Sequence, residues 1–256
     1  MNRKLTAVLL ASAIATMSAC DSDDDDDGGA DGDNVIEDGV GGDGDGDGDT
    51  SLVGETSSLT FTLTNTSDSQ PMTPPVVVLH SADASLFTVT QPASDEIIAI
   101  AENGENGPMV ELVESLLADG IVSDFAVGFA DPDAPGPLTP GASATVDLDL
   151  TSEDQVMSIV SMVVCTNDGF SGAESVALPA ATDTTLTLPI YDAGSETNVL
   201  MLNYWVPPCN NGESDNITDD ENGSITLHPG QEESENPVFD FESGSELLEV
   251  SITRNP

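Results

Sequence analysis

MSIVSMVVCTNDGFSG, from Met157 to Gly172, is the stretch whose reading decides the fold class. Met157 to Val164 is so dense in apolar side chains that both faces of a strand would be covered, which predicts a central strand. It runs straight into Asn167-Asp168-Gly169, residue types that make tight polar turns through side-chain-to-backbone bonds and tolerance of left-handed backbone. On the N-terminal side, SDFAVGFA (Ser123 to Ala130) predicts a second apolar strand, entered through Asp124. On the C-terminal side, LPIYDAGSETN (Leu188 to Asn198) predicts a third, ending in an acidic turn that contains Gly194. Three strand ends thus offer carboxylates.

Working outward, Leu59 to Asn65 alternates Leu59, Phe61 and Leu63 with threonines, the period of a half-buried strand. Val76 to His80 follows Pro71, Pro74 and Pro75, which fits a strand at a sheet edge or one beginning just after the prolines. Ala144, Val146, Leu148 and Leu150 alternate with Thr145, Asp147 and Asp149, and Glu174 to Leu178, Thr184 to Tyr191, Met201 to Val206, Ile225 to His228 and Leu247 to Thr253 supply further strands. Two helices interrupt them. Ser94 caps the first ahead of Ile97, Ile98 and Ala101, and Pro108 opens the second, whose Met109, Val113, Leu116 and Leu117 form one stripe. The pattern predicts a mainly β protein: an antiparallel β-sandwich of about eight strands, C2-like, with one or two short helices.

Not all of the 256 residues can belong to that core. Met1 to Cys20 has a basic start (Arg3, Lys4), an apolar run from Leu5 to Met17 and Ser18-Ala19-Cys20, the organisation of a bacterial lipoprotein signal peptide ending at a lipid-bearing Cys20. Asp21 to Thr50 holds 14 acidic residues, no basic ones and three branched aliphatics. It cannot bury enough apolar surface to offset ordering, so it reads as an extended tether. A calcium loop in DGDGDGD (Asp43 to Asp49) is the alternative, though an EF-hand loop needs a terminal bidentate Glu and flanking helices that are missing here. The folded domain is then residues 51–256, and the expected location is the bacterial cell envelope, periplasm or cell surface, reached by export and held to a membrane by the lipid.

With the signal removed, 48 acids face Arg254 alone, a formal charge of about -47 that repels nucleic acid and anionic head groups. Cysteine usage follows from the lipid: Cys20 is taken, leaving Cys165 and Cys209, and an exported chain permits a disulfide between them. Two free buried thiols are the alternative. For catalysis the inventory is poor: there is no G-x-S-x-G elbow, no phosphate loop with a lysine, and neither His80 nor His228 lies in a recognisable motif. A lone histidine at a strand end, such as His80, is ordinarily structural.

The order SDFAVGF, VCTNDGF, YDAGSE resembles the spondin N-terminal domain, whose versions carry a DWFVG-like strand and a later DAGTD-like turn. AIAENGENGP and GSITLHPG resemble further spondin segments, so the resemblance covers Ser57 to Gly230. It implies Ca²⁺ ligated by Asp124, Asp192 and Glu196. Phe125 and Tyr191 stand where the family has Trp, and Glu196 where it has Asp, which lengthens one ligand by a methylene. Asp168 is a weaker ligand candidate, since Asn167-Asp168-Gly169 is at least as well explained by turn chemistry. The function implied is a surface-displayed, membrane-anchored, calcium-associated binding or adhesion module with an extracellular protein or glycan ligand and no catalysis. The alternatives are a structural envelope component without a specific ligand and a carboxylate-based hydrolase.

Overall fold

The computed structural model describes residues 57–180, 183–201, 209 and 221–255. Cys20, expected to carry the lipid, the expected acidic tether and most of the strand expected over Met201 to Val206 lie outside the described residues. In chain order the elements are β1 (Ser57–Asn65), β2 (Val76–Ser81), α1 (Asp95–Asn103), α2 (Gly107–Ala118), β3 (Val122–Val127), β4 (Ser143–Leu150), β5 (Gln155–Met162), β6 (Gly169–Ala177), β7 (Asp183–Asp192), β8 (Thr226–Leu227) and β9 (Glu246–Asn255). These strands pair antiparallel throughout the described residues, in the order β3-β2-β5-β6-β7-β9-β1-β4, with β8 added to the end of β7. The fold is the mainly β antiparallel sandwich that the sequence predicts.

β7 makes one sheet into two layers. Its first seven residues pair with β9, the register shifts between Leu188 and Pro189, and Ile190 to Asp192 then pair with β6. One layer is therefore β4-β1-β9 with the first half of β7, and the other is β3-β2-β5-β6 with the last turn of β7 and β8. Alternation decides what lies between them: Leu59, Phe61 and Leu63 of β1 are fully buried and meet Val77 and Leu79 of β2 and Met157 and Ile159 of β5. Fully burying each such side chain stabilises by about 1.5–3 kcal/mol. The outward positions of β1 and β4 are threonine, serine or acid, and those of β9 from Glu249 to Asn255 are polar.

The second layer is apolar on both faces, as the dense Met157 stretch requires. Val76 and Val78 of β2 and Val160 and Met162 of β5 turn away from the first layer and pack under Ile97, Ile100, Met109 and Val113 of the helices. Ser94 caps α1 by accepting from the Ile97 N–H at 3.4 Å, and Gly104 ends it in the left-handed region (φ 68°). A Cβ at Gly104 would fall 2.6 Å from Thr73 Cγ2, so the position needs glycine twice over. β2 is interior, between β3 and β5, so its prolines mark a strand start and the edge alternative fails.

Candidate functional site

The site is the meeting of two turns. β6–β7 pairing sets Gly169 opposite Asp192, which places the β5–β6 turn beside the end of β7. In the first turn the Thr166 hydroxyl donates to Val163 O at 2.7 Å and accepts from Gly169 N–H at 2.9 Å. Gln70 Oε1 accepts from the Cys165 N–H, and Gln231 Nε2 donates to the Cys165 carbonyl at 3.0 Å. Cys165 is joined to Cys209, the pairing inferred from the cysteine count. In the second turn Asp192 Oδ1 accepts from Gly194 N–H at 2.7 Å and its Oδ2 from Asn198 Nδ2 at 2.5 Å. Gly194 has φ 68°, and a Cβ there would lie 2.7 Å from Ser224 N. The DAGSE turn therefore depends on that glycine.

Asp168 joins the turns. One carboxylate oxygen, Oδ2, accepts from Ser195 N–H at 2.8 Å, Glu196 N–H at 3.1 Å and the Ser195 hydroxyl at 3.3 Å. The other, Oδ1, is buried without a hydrogen-bond partner. Asp168 is 0 % exposed and Asp192 7 %. Burial, reinforced by the Asp192 charge, raises the Asp168 pKa to about 6, against the pull of its Ser195 and Glu196 donors. An ionised carboxylate with an unpaired oxygen, shut in beside a second acid, is a place of unmet negative charge.

His228 closes the site from β8. Its N–H bonds Ile190 O, its Nδ1 accepts from Gly230 N–H at 3.1 Å, and its buried Nε2 has no partner. Since Nδ1 accepts, Nε2 carries the hydrogen. Burial lowers the His228 pKa to about 4, with Asp192 pulling the other way, so the ring is neutral at pH 7. Asn167 adds a buried Nδ2 without an acceptor while its Oδ1 accepts from Val199 N–H.

Of the three acids expected to share a cation, two lie in the same turn and the third does not. Asp192 and Glu196 lie in one turn, with the Glu196 amide on Asp168. Asp124 lies elsewhere: it pairs with Leu79, which pairs with Met157, whereas the Asp192 row runs through Gly169 to Val163. Six residues of β5 separate the rows, roughly 20 Å at 3.3 Å per residue. The Asp124 carboxylate accepts from Phe125 N–H at 2.9 Å and from Asp149 N–H at 2.7 Å. It clasps the two sheet edges, β3 and β4. An acid at a strand start looks the same in sequence whether it ligates or caps.

Among the described residues no three His, Cys, Asp or Glu side chains form a metal cluster. A cation held here would take its remaining ligands from groups other than a third such side chain. Ca²⁺ takes six to eight oxygens, and carbonyls, amides and water complete a shell begun by two carboxylates. Asp168 Oδ1, buried, charged and unpartnered, fits that ion.

The other histidine is structural. His80 Nδ1–H donates to Ser81 O at 2.9 Å, which leaves Nε2 to accept from Ser158 Oγ at 2.8 Å. Ser158 Oγ in turn accepts from Ser175 N–H at 3.0 Å. The chain satisfies the irregularity where β5–β6 register shifts between Met157 and Ile159. A carbonyl, and no carboxylate, orients the imidazole; Ser158 is buried and Ser81 half-buried. Burial lowers the His80 pKa.

No protein-family model matches the chain, and a search of curated proteins finds no match.

Proposed function

We propose that the protein is an exported, lipid-anchored binding module of the bacterial cell envelope, with one Ca²⁺ held between the turns that carry Asp168 and Asp192. The observation that supports the cation is the unpartnered, buried Oδ1 of Asp168 facing a second carboxylate's field. Bound there, the ion would supply the missing counter-charge and tie the β5–β6 turn to the DAGSE turn. Asp168 replaces Asp124 in the ligand set, Asp192 remains, and Glu196 contributes its backbone to Asp168. The adhesion role rests on the spondin resemblance, since spondin domains belong to matrix and cell-surface proteins. The lipid anchor rests on Ser18-Ala19-Cys20.

Thermal unfolding in calcium and in sodium at matched ionic strength tests the site. At ten times a dissociation constant, one-site linkage adds RT ln 11, about 1.4 kcal/mol, to stability. Sodium screens diffuse repulsion but does not replace an inner-shell ion. If the two salts stabilise equally, the cation site is wrong.

A further inference from the structure

β6 and β7 are paired over three residues only, Gly169 to Ser171 against Ile190 to Asp192. Beyond Ser171 β6 stays with β5, and before Pro189 β7 stays with β9, so the strands diverge and, among the described residues, each presents an edge to the gap. The gap is a cleft of about 250 Å³. Val176, Leu186, Leu188, Pro189 and Tyr191 give it an apolar lining, and Glu174 supplies its only charge among the described residues. Glu174 and Val176 are half-buried, and Tyr191 packs its ring on Phe87 and Phe170 at 5.4 and 5.5 Å between centroids, which fixes it as a wall. Burial, with the Glu174 charge adding to it, raises the Tyr191 pKa, which keeps the phenol neutral.

We infer that this cleft receives a lysine side chain from a partner protein. Its aliphatic stem packs along Leu186, Leu188 and Val176, and its ammonium meets the Glu174 carboxylate beside the Tyr191 ring. The open edges of β6 and β7 offer main-chain groups to the residues flanking that lysine. Charge selects the occupant. The chain carries 48 acids against three strong bases, so a cationic partner is drawn in and a second copy is repelled. Arg254, the only Lys or Arg among the described residues, is tied to Glu153 at 2.5 Å and to Pro179 O at 3.3 Å, so a second copy offers no free cation from its described residues. The inference goes beyond the cation site and is tested with calcium removed, so the two can fail separately.

The probe is a capped pentapeptide, Gly-Gly-Lys-Gly-Gly, titrated into isotopically labelled protein in a chelator and followed through backbone amides. Saturable shifts should centre on Glu174, Val176, Leu186 and Tyr191. The acetyl-lysine peptide, with the same stem and no charge, should bind at least about tenfold more weakly, and Glu174→Gln should cost a similar factor. Butylamine, which carries the stem and the ammonium without a main chain, should also bind about tenfold more weakly. Equal binding of butylamine would make the ligand a free amine and overturn the inference. So would shifts that fail to saturate and spread over the acidic faces, or an unchanged response in Glu174→Gln with wild-type unfolding.

Discussion

Asp168→Asn should make the metal-free protein more stable at neutral pH, although it alters a fully buried, hydrogen-bonded residue. Asn has the same shape, and its carbonyl oxygen can take the Ser195 and Glu196 N–H donors. Its NH₂ then occupies the place of the unpartnered Oδ1, directed into the field of Asp192. The parent's Asp168 pKa rises from 3.8 to about 6 on folding. At 1.36 kcal/mol per pH unit, ionising it inside the fold costs about 3 kcal/mol. A raised carboxylate pKa means that the folded state holds the proton more tightly. The parent's disadvantage is therefore absent below pH 3.8, grows as pH rises through 6, and is complete by about pH 7. For a domain of this size each kcal/mol moves the melting temperature by about 2–4 °C, so the variant should melt roughly 6–12 °C above the parent at pH 7.5 in a chelator. Near pH 4 the two should converge. Calcium should narrow the gap at pH 7.5 by stabilising the parent alone. Melting followed by circular dichroism at both pH values reads all of this. A variant less stable than the parent at both pH values, or a difference independent of pH, would refute the electrostatic account of Asp168.

Asp124→Ala should destabilise by about 0.5–1.5 kcal/mol in denaturant melts, because the Asp149 amide exchanges its carboxylate acceptor at the sheet edge for water, and it should leave the calcium-specific shift intact. His80→Gln should flatten the acid limb of the stability profile: folding lowers the His80 pKa, so the parent loses stability as pH falls below 6.5, and a variant with the same slope would contradict that. Replacing Cys165 and Cys209 together by serine opens a loop spanning 44 residues and should cost about 4 kcal/mol on the chain-entropy model, read from unfolding midpoints with and without reductant. It should also weaken the calcium response, since Cys165 begins the turn that holds Asp168.

The strands were legible wherever one face is wet. Leu59-Phe61-Leu63 and Ala144-Val146-Leu148-Leu150 alternate in the sequence and do so in burial. The helices were legible from Ser94, Gly104 and Pro108, each with a local capping or turn reason. The site was less so. Asp168 is accounted for by its own Asn-Asp-Gly turn, and nothing local shows that its carboxylate reaches Ser195 and Glu196, 27 and 28 residues on. That contact exists only because Gly169 registers with Asp192. Asp124 misled for the converse reason. It begins an apolar strand, as a ligand would, but the sheet carries it six residues from the other acids along β5. His228 has no motif, and its place beside Asp192 follows from β8 pairing with the end of β7.

Equilibrium dialysis of radioactive calcium against the purified protein, at fixed ionic strength, tests the cation site most directly. One saturable Ca²⁺ per chain should bind above a diffuse background, and it should vanish in Asp168→Asn and in Asp192→Asn while persisting in Asp124→Asn. Calcium uptake that rises without saturating, or a saturable site that survives Asp168→Asn and is lost in Asp124→Asn, would contradict the assignment.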